Sequence, residues 1–255
     1  MKEFELLNKL DLDFSSLEKE AVFSLNKNEE SSLYITNLSS DNSLNFKLKE
    51  GSFLHLSIFA KNPIKNLKLT ANLEENAKII VYFADFACES NQGEVVINLN
   101  GRGATADWHL ASLASEKDNK NISVSIFHNA PQTFAKVDNY GVAKDDSKLI
   151  FAGTSHILKG SIKSKTHQNA KIMVFDQNSD AIAKPVLKID ENDIEASHAA
   201  AVGKISDEHI FYLTSRGISL EEAKMLITLG YLKPIFKGFD ADKVDYINEI
   251  MGGRL

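Results

Sequence analysis

KPVLKIDENDIEASHAAAVGKISDEHIFYLTSRGIS, residues 184–219, is the stretch whose reading decides the fold. Before it, short apolar–polar alternations dominate. After it, apolar residues recur at helical spacing. Period 2 marks half-buried strands and period 3.6 marks amphipathic helices. The stretch is therefore a junction between a β-rich body and a helical tail, with His198 at its centre among Ala196, Ser197, Ala199, Ala200 and Ala201.

Upstream, SLNFKLKEG (43–51), FLHLSIFA (53–60), LKLTANL (67–73), KIIVYFADF (78–86), EVVINLNG (94–101), ISVSIFH (122–128) and KIMVFD (171–176) read as strands. Turn residues separate them, such as Glu50-Gly51, Asn62-Pro63 and Asn178-Ser179-Asp180. No amphipathic helix interrupts them, which argues against an alternating βαβ sheet. Asn76-Ala77-Lys78-Ile79-Ile80-Val81 resembles Asn169-Ala170-Lys171-Ile172-Met173-Val174, and similar starts occur at Gly103 and Asp146. Together they suggest a coil of roughly 20 to 27 residues, within the range of solenoid repeats. A sandwich or barrel with similar turn spacing is the alternative.

Downstream, Ser206 can cap a first helix, which Gly217 stops. Ser219 and Glu222 form the S-x-x-E box of a second helix, and Pro234 should end or kink it. Asp240 can start a third helix carrying Val244, Ile247 and Met251. Three short helices make no large core alone, so they must pack on the β body or on a partner. The first 20 residues, ending near LEKEAV, read as irregular or as a short helix capping the first coil. The resulting division is a cap over 1–30, a β core over 31–197 and a helical domain over 198–255.

Composition excludes several function classes. The 255 residues are 43% hydrophobic and 25% charged, as in folded water-soluble domains. A net charge of −6 disfavours nucleic acid or an anionic membrane as partner. No window approaches a spanning segment, and MKEFELLNKLDLDF lacks the apolar run of a secretory signal, which points to the cytoplasm. The single cysteine, Cys88, permits no internal disulfide and reads as a small core residue. Gly101-Arg102-Gly103-Ala104-Thr105-Ala106 matches G-x-G-x-x-A but lacks a βαβ setting, so it reads as a turn. No P-loop, H-E-x-x-H, C-x-x-C or G-x-S-x-G occurs. His109, His128, His156 and His167 fall in or near strands and read as surface or hydrogen-bonded core residues. His198 has two readings: a histidine hydrogen-bonded at the junction, or a metal ligand. Imidazole suits iron, copper or zinc, but one ligand cannot hold a cluster, so any such site must be shared with another chain.

The junction and its flanks resemble the SufB/SufD family of iron–sulfur cluster assembly scaffolds. The resemblance covers roughly residues 122 to 230. It is carried by Phe127-His128-Asn129-Ala130-Pro131, Tyr140-Gly141 and Leu149-Ile150-Phe151-Ala152-Gly153; by Lys184-Pro185-x-Leu187-x-Ile189 with Ile194-x-Ala196-Ser197-His198; and by Phe211-Tyr212-Leu213-x-Ser215-Arg216-Gly217-Ile218 with Glu222-Ala223. The small-residue run departs from the family, with Ala199 and Ala201 where Gly and Thr are usual.

This resemblance implies a right-handed parallel β-helix followed by a small helical domain. It implies a SufD-like, non-enzymatic scaffold, with the N-terminal region reduced to about 30 residues. Such a subunit pairs with a SufB-like subunit through the β-helix and docks a SufC-like ABC-type ATPase through the tail. Phe211, Tyr212, Arg216, Gly217, Ile218, Ala223 and Leu226 are the expected docking residues. His198 is the expected ligand of a transient iron–sulfur cluster at the subunit interface, with none bound by the isolated chain. The alternatives are a structural arm with no metal ligand, a homodimer in isolation, and, more distantly, a β-helix polysaccharide lyase.

Overall fold

A computed structural model describes residues 2–16 and 19–254. Sixteen strands alternate between two parallel sheets. One holds β1 (Lys2–Glu5), β3 (Glu20–Leu25), β5 (Asp41–Leu48), β7 (Asn66–Leu73), β9 (Ser90–Leu99), β11 (Asn119–His128), β13 (Lys148–Ile157) and β15 (Asp180–Ile189). The other holds β2 (Asn8–Asp13), β4 (Glu30–Thr36), β6 (Phe53–Ala60), β8 (Lys78–Asp85), β10 (Thr105–Ala114), β12 (Phe134–Ala143), β14 (Ser164–Val174) and β16 (Ile194–Lys204). The chain crosses to the opposite sheet after each strand, so two strands make one coil and the fold is a parallel β-solenoid. This settles the choice between solenoid and sandwich, because every strand pairing is parallel.

Alternate residues of each strand point inward and stack in columns on their neighbours. Phe4, Phe23 and Phe46 form one such ladder, with ring centroids 5.1 and 5.0 Å apart. Trp108, fully buried, lies between Val81 and Val137 in another. The columns merge into one apolar core that holds the two sheets together.

The coils do not share one length. The step between facing residues ranges from 19 (Lys2 to Ala21) to 32 (Gly153 to Pro185), outside the expected 20 to 27 at both ends. This explains why the Asn76 and Asn169 repeat is not structural. Asn76 turns the corner before β8 with φ 53°, whereas Asn169 lies within β14 opposite Asp138. The true repeat is a column of left-handed corners at Asn28, Gly51, Asn76, Gly103, Gln132 and Lys163. Each donates its N–H to a carbonyl of the next coil, at Glu50, Glu75, Arg102, Pro131, Ile162 and Asp193. Asn and Gly are the residues that tolerate this conformation best, and here they alternate over the first four corners. A Cβ at Gly51 or Gly103 would collide with the side-chain oxygen of Asn28 or Asn76. The Gly103 corner is also the role of the G-x-G-x-x-A segment, as the turn reading had it.

The solenoid extends beyond the span read as strands. Lys2–Glu5 and Asn8–Asp13 form β1 and β2 where the sequence reads as irregular or as a short helix, and the last strand runs to Lys204. Part of the LEKEAV segment, Leu17 and Glu18, lies outside the described residues. ADWHLASLA, ambiguous in sequence, falls within β10.

The tail follows the helical reading. Helix α1 is Asp207–Thr214, α2 is Leu220–Leu232 and α3 is Ala241–Gly252. Ser219 and Glu222 close the capping box of α2, each bonding the other's backbone N–H. Helix α2 stops two residues before Pro234, where a 3-10 turn over Lys233–Gly238 takes over. The tail packs on the outer face of the even-numbered sheet, and Leu232, Ile235, Ile247 and Met251 bury against Phe59, Phe86, Leu113 and Val142. Helix α3 begins beside the first coil, tied by Lys9–Asp240 and Lys243–Asp11 pairs of 2.7 Å each. At its far end Arg254 enters a cage formed by the carbonyls of Phe86, Ala87 and Leu113, the Ser115 hydroxyl and the Asp118 carboxylate.

Candidate functional site

The last coil, β15 and β16, has no further coil on top of it, so the residues that would be core elsewhere form an open mouth. From β15 these are Ala181, Ala183, Pro185, Leu187 and Ile189, facing the positions of Leu149 to Ile157 on β13. From β16 they are Ile194, Ala196, His198, Ala200 and Val202, facing Ser164 to Ile172 on β14. Strand periodicity thus aims His198 into the solenoid axis. It ends the column Val81, Trp108, Val137 and Gln168, whose members are all buried, while His198 itself is exposed at the mouth. Its neighbour Ser197 faces outward, where its hydroxyl meets His167 Nδ1 at 2.8 Å.

The two edges of this mouth differ. On β14 and β16, Ile205 N–H bonds Val174 O and Lys163 N–H bonds Asp193 O. Odd-numbered residues of β16 therefore turn their backbone groups to β14. The N–H and C=O groups of Ile194, Ala196, His198, Ala200 and Val202 face the free edge. On β15 the phase is opposite, since Asp180 and Asp190 donate to β13 at Ser147 and Ile157. Its odd-numbered residues face the free edge, and among them Pro185 has no N–H to offer. The β16 edge carries no Asp, Glu, Lys or Arg from Ala196 to Gly203. The opposite end of the solenoid carries KEFE and NKLDLD, with a charge at nearly every other position, a common way to keep an edge strand from pairing.

The tail offers a second surface. Phe211 is 73% exposed, Tyr212 58% and Leu226 46%. Arg216 lies over the Tyr212 ring at 5.2 Å, and Gly217 beside it is exposed. No residue of α1 is buried. Ile218 is half-buried. Ala223, in the first turn of α2, is fully buried. It holds the helix in place and presents no surface. The tail residues and His198 therefore belong to two separate regions, the helical surface and the solenoid mouth.

Three of the other histidines have local partners. His109 stacks on Tyr82 at 4.6 Å between Asp107 and Asp138. His156 Nε2 meets Asp190 at 2.7 Å. His128 is fully buried with Nδ1 on Thr133, and burial pushes its pKa down to about 4. Cys88 is exposed and not part of the core: the apolar run ends at Ala87, and the chain is already turning toward β9. Among the described residues, no three His, Cys, Asp or Glu side chains gather as a metal site. Sequence reasoning missed that Gln168 lies directly below His198 in the column; that placement depends on strand register, which no local motif encodes.

Comparison with known proteins gives the family. The family described as "SUF system FeS cluster assembly, SufBD core domain" matches residues 18–231. The chain is 32% identical over 149 residues to the iron–sulfur cluster assembly protein SufD of Bacillus subtilis, covering 57% of this chain and 34% of that protein. It is 27% identical over 153 residues to SufB of the same organism, covering 60% and 33%. An iron–sulfur cluster assembly SufBD family protein of Staphylococcus epidermidis is also 27% identical over 153 residues, covering 60% and 33%. The matched part spans about a third of the length of these relatives. With the core-domain match running through the solenoid and into α2, the chain belongs to the SufB/SufD family and is SufD-like.

Proposed function

We propose that this chain is a non-enzymatic scaffold subunit in iron–sulfur cluster assembly. The cluster is its cargo, held between subunits and never by this chain alone. His198 is one ligand, and the remaining ligands come from a SufB-like subunit that covers the mouth. The observation that carries this reading is the position of His198, an inward-facing imidazole at the open end of a column that is otherwise buried. A partner strand pairing with β16 would satisfy the edge N–H groups and enclose the imidazole in the same step. An isolated cytosolic chain with so bare an edge could also pair with a second copy of itself.

The exposed face of α1 and α2, around Phe211, Tyr212, Arg216 and Leu226, suits docking of a SufC-like ATPase. Aromatic and arginine side chains are the usual anchors of such contacts. Movement of the ATPase would then reach the solenoid through the tail packed along its side. Co-expression with SufB-like and SufC-like proteins is expected to yield one complex on size-exclusion chromatography with light scattering. Recovery of this chain free of both would sink the scaffold reading.

A second reading keeps the complex but gives His198 no metal, making the chain a structural arm. It is favoured by the lack, among the described residues, of any three His, Cys, Asp or Glu side chains gathered as a metal site, and a variant of His198 separates the two. The polysaccharide-lyase reading gains no support, since such sites gather acidic metal ligands on one face.

A further inference from the structure

Arg254, two residues beyond α3, buries its guanidinium in the wall of the solenoid; its side chain is 10% exposed and that of its partner Asp118 4%. Nη1 donates to the carbonyls of Phe86 at 3.0 Å, Leu113 at 3.2 Å and Ala87. Nη2 donates to Ser115 Oγ at 2.8 Å and to the Asp118 carboxylate. All five acceptors belong to the solenoid, and they come from two successive coils. Phe86 and Ala87 follow β8, while Leu113, Ser115 and Asp118 lie at and beyond the end of β10.

The solenoid fixes these groups by bonds of its own. Ser115 N–H donates to the Asp118 carboxylate at 2.9 Å, and Asp118 N–H returns to Ser115 O at 3.0 Å, closing that turn on itself. Phe86 N–H is tied to Ala60 O of the preceding coil at 3.0 Å, and Lys148 N–H of the following coil bonds Asp118 O at 2.7 Å. Charge is divided in the same way. The buried Lys120 is bonded to the buried Asp85 at 3.0 Å, which leaves the Asp118 carboxylate to Arg254. A buried charge stripped of its partner is strongly unfavourable. A guanidinium presents five N–H donors in a flat fork, an ammonium three on a single point. Three carbonyls, a hydroxyl and a carboxylate spread over two coils suit the fork.

We propose that Phe86, Ala87, Leu113, Ser115 and Asp118 form a preformed guanidinium-binding site of the solenoid, with Arg254 as its tethered and replaceable occupant. The site is a latch. With Arg254 in place, α3 lies on the sheet and buries Ile247 and Met251. When another guanidinium takes the site, such as an arginine side chain presented by a bound partner, that end of α3 comes free. Tethering gives Arg254 a high effective concentration, so a competitor must be abundant or itself held nearby. Use of the latch to pass ATPase movement to the solenoid rests on the proposed docking of the tail; the site itself does not.

The test is titration of the full chain carrying Arg254→Ala with methylguanidinium, followed through the backbone amide resonances. Saturable one-to-one binding is expected, with shifts centred on Ala87, Ser115 and Asp118. Methylammonium, which has the charge without the fork, should bind at least about tenfold more weakly, the worth of one or two hydrogen bonds. The wild type, whose site is filled, should also bind methylguanidinium at least about tenfold more weakly. Absence of saturable binding, equal binding of the two cations, or equal affinity in wild type and variant overturns the proposal. If Arg254→Ala does not fold, hydrogen exchange of the wild type decides. Methylguanidinium should then speed exchange of the α3 amides beyond that in equimolar methylammonium, and equal exchange in the two overturns the proposal. Selective methylguanidinium binding by a chain that docks no SufC-like ATPase supports the site while removing the docking reading.

Discussion

Two histidines of this chain face the solenoid axis and meet opposite fates. His198 stands at the open end, in contact with solvent, while His128 is sealed inside, with burial holding its pKa at about 4. Unfolded, the ring of His128 titrates near 6.5. Above that pH both states are neutral, and His128 adds no pH dependence. Between 6.5 and 4 the unfolded chain takes up a proton that the folded chain refuses, so stability falls with pH, by up to about 3 kcal/mol. Below 4 this contribution levels off. Thermal melts from pH 7 to 4 are expected to show this decline in the wild type and a shallower one in His128→Leu, which suits the neighbouring Leu99 and Ile157. Equal slopes would show that the ring is solvated in the native state. From the sequence alone, His198 could be singled out by its place between two structural regimes. His128 could not, because its burial depends on which strand residues face inward. Cys88 misled for the same reason: an apolar run was read as core beyond the point where its strand ends.

Among the elements, β16 carries the partner contact in this account, and its hydrogen-bond phase makes the claim specific. Ala200 turns its N–H to the free edge, whereas Ala199 turns its own to β14. Ala200→Pro should therefore leave the solenoid's melting temperature nearly unchanged and weaken association with the SufB-like subunit by at least about tenfold, the worth of one or two hydrogen bonds. Ala199→Pro should instead destabilise the last coil itself. Equal effects of the two on partner affinity, measured by titration calorimetry, would contradict the edge-pairing geometry. The helices of the tail were largely legible, since caps, stops and Pro234 act locally. The strands were legible where alternation was clean. Their coil length was not, because it grows along the chain and hides any fixed period. The left-handed corners escaped notice because Gln132 and Lys163 take the same conformation as Asn and Gly, held there by bonds to the next coil.

At the scale of the whole molecule, the tail lies along the even-numbered sheet and is locked at both ends, by the Lys9 and Lys243 ion pairs and by Arg254. The exposed lysine pairs contribute little. Arg254 is mostly buried and pairs with the buried Asp118, so it carries more of the attachment. Arg254→Ala should leave the solenoid folded but speed limited proteolysis between α2 and α3; unchanged cleavage would show that apolar packing alone holds the tail. None of this long-range attachment could be read from the sequence, because Arg254 and its partners are more than a hundred residues apart. The central claim is that this scaffold lends one ligand to a cargo held between subunits. The most direct test is anaerobic co-expression with SufB-like and SufC-like partners, comparing wild type with His198→Ala for complex mass and bound iron. The account predicts an unchanged mass with iron reduced severalfold; an intact complex with unchanged iron would contradict it and make this chain a structural arm.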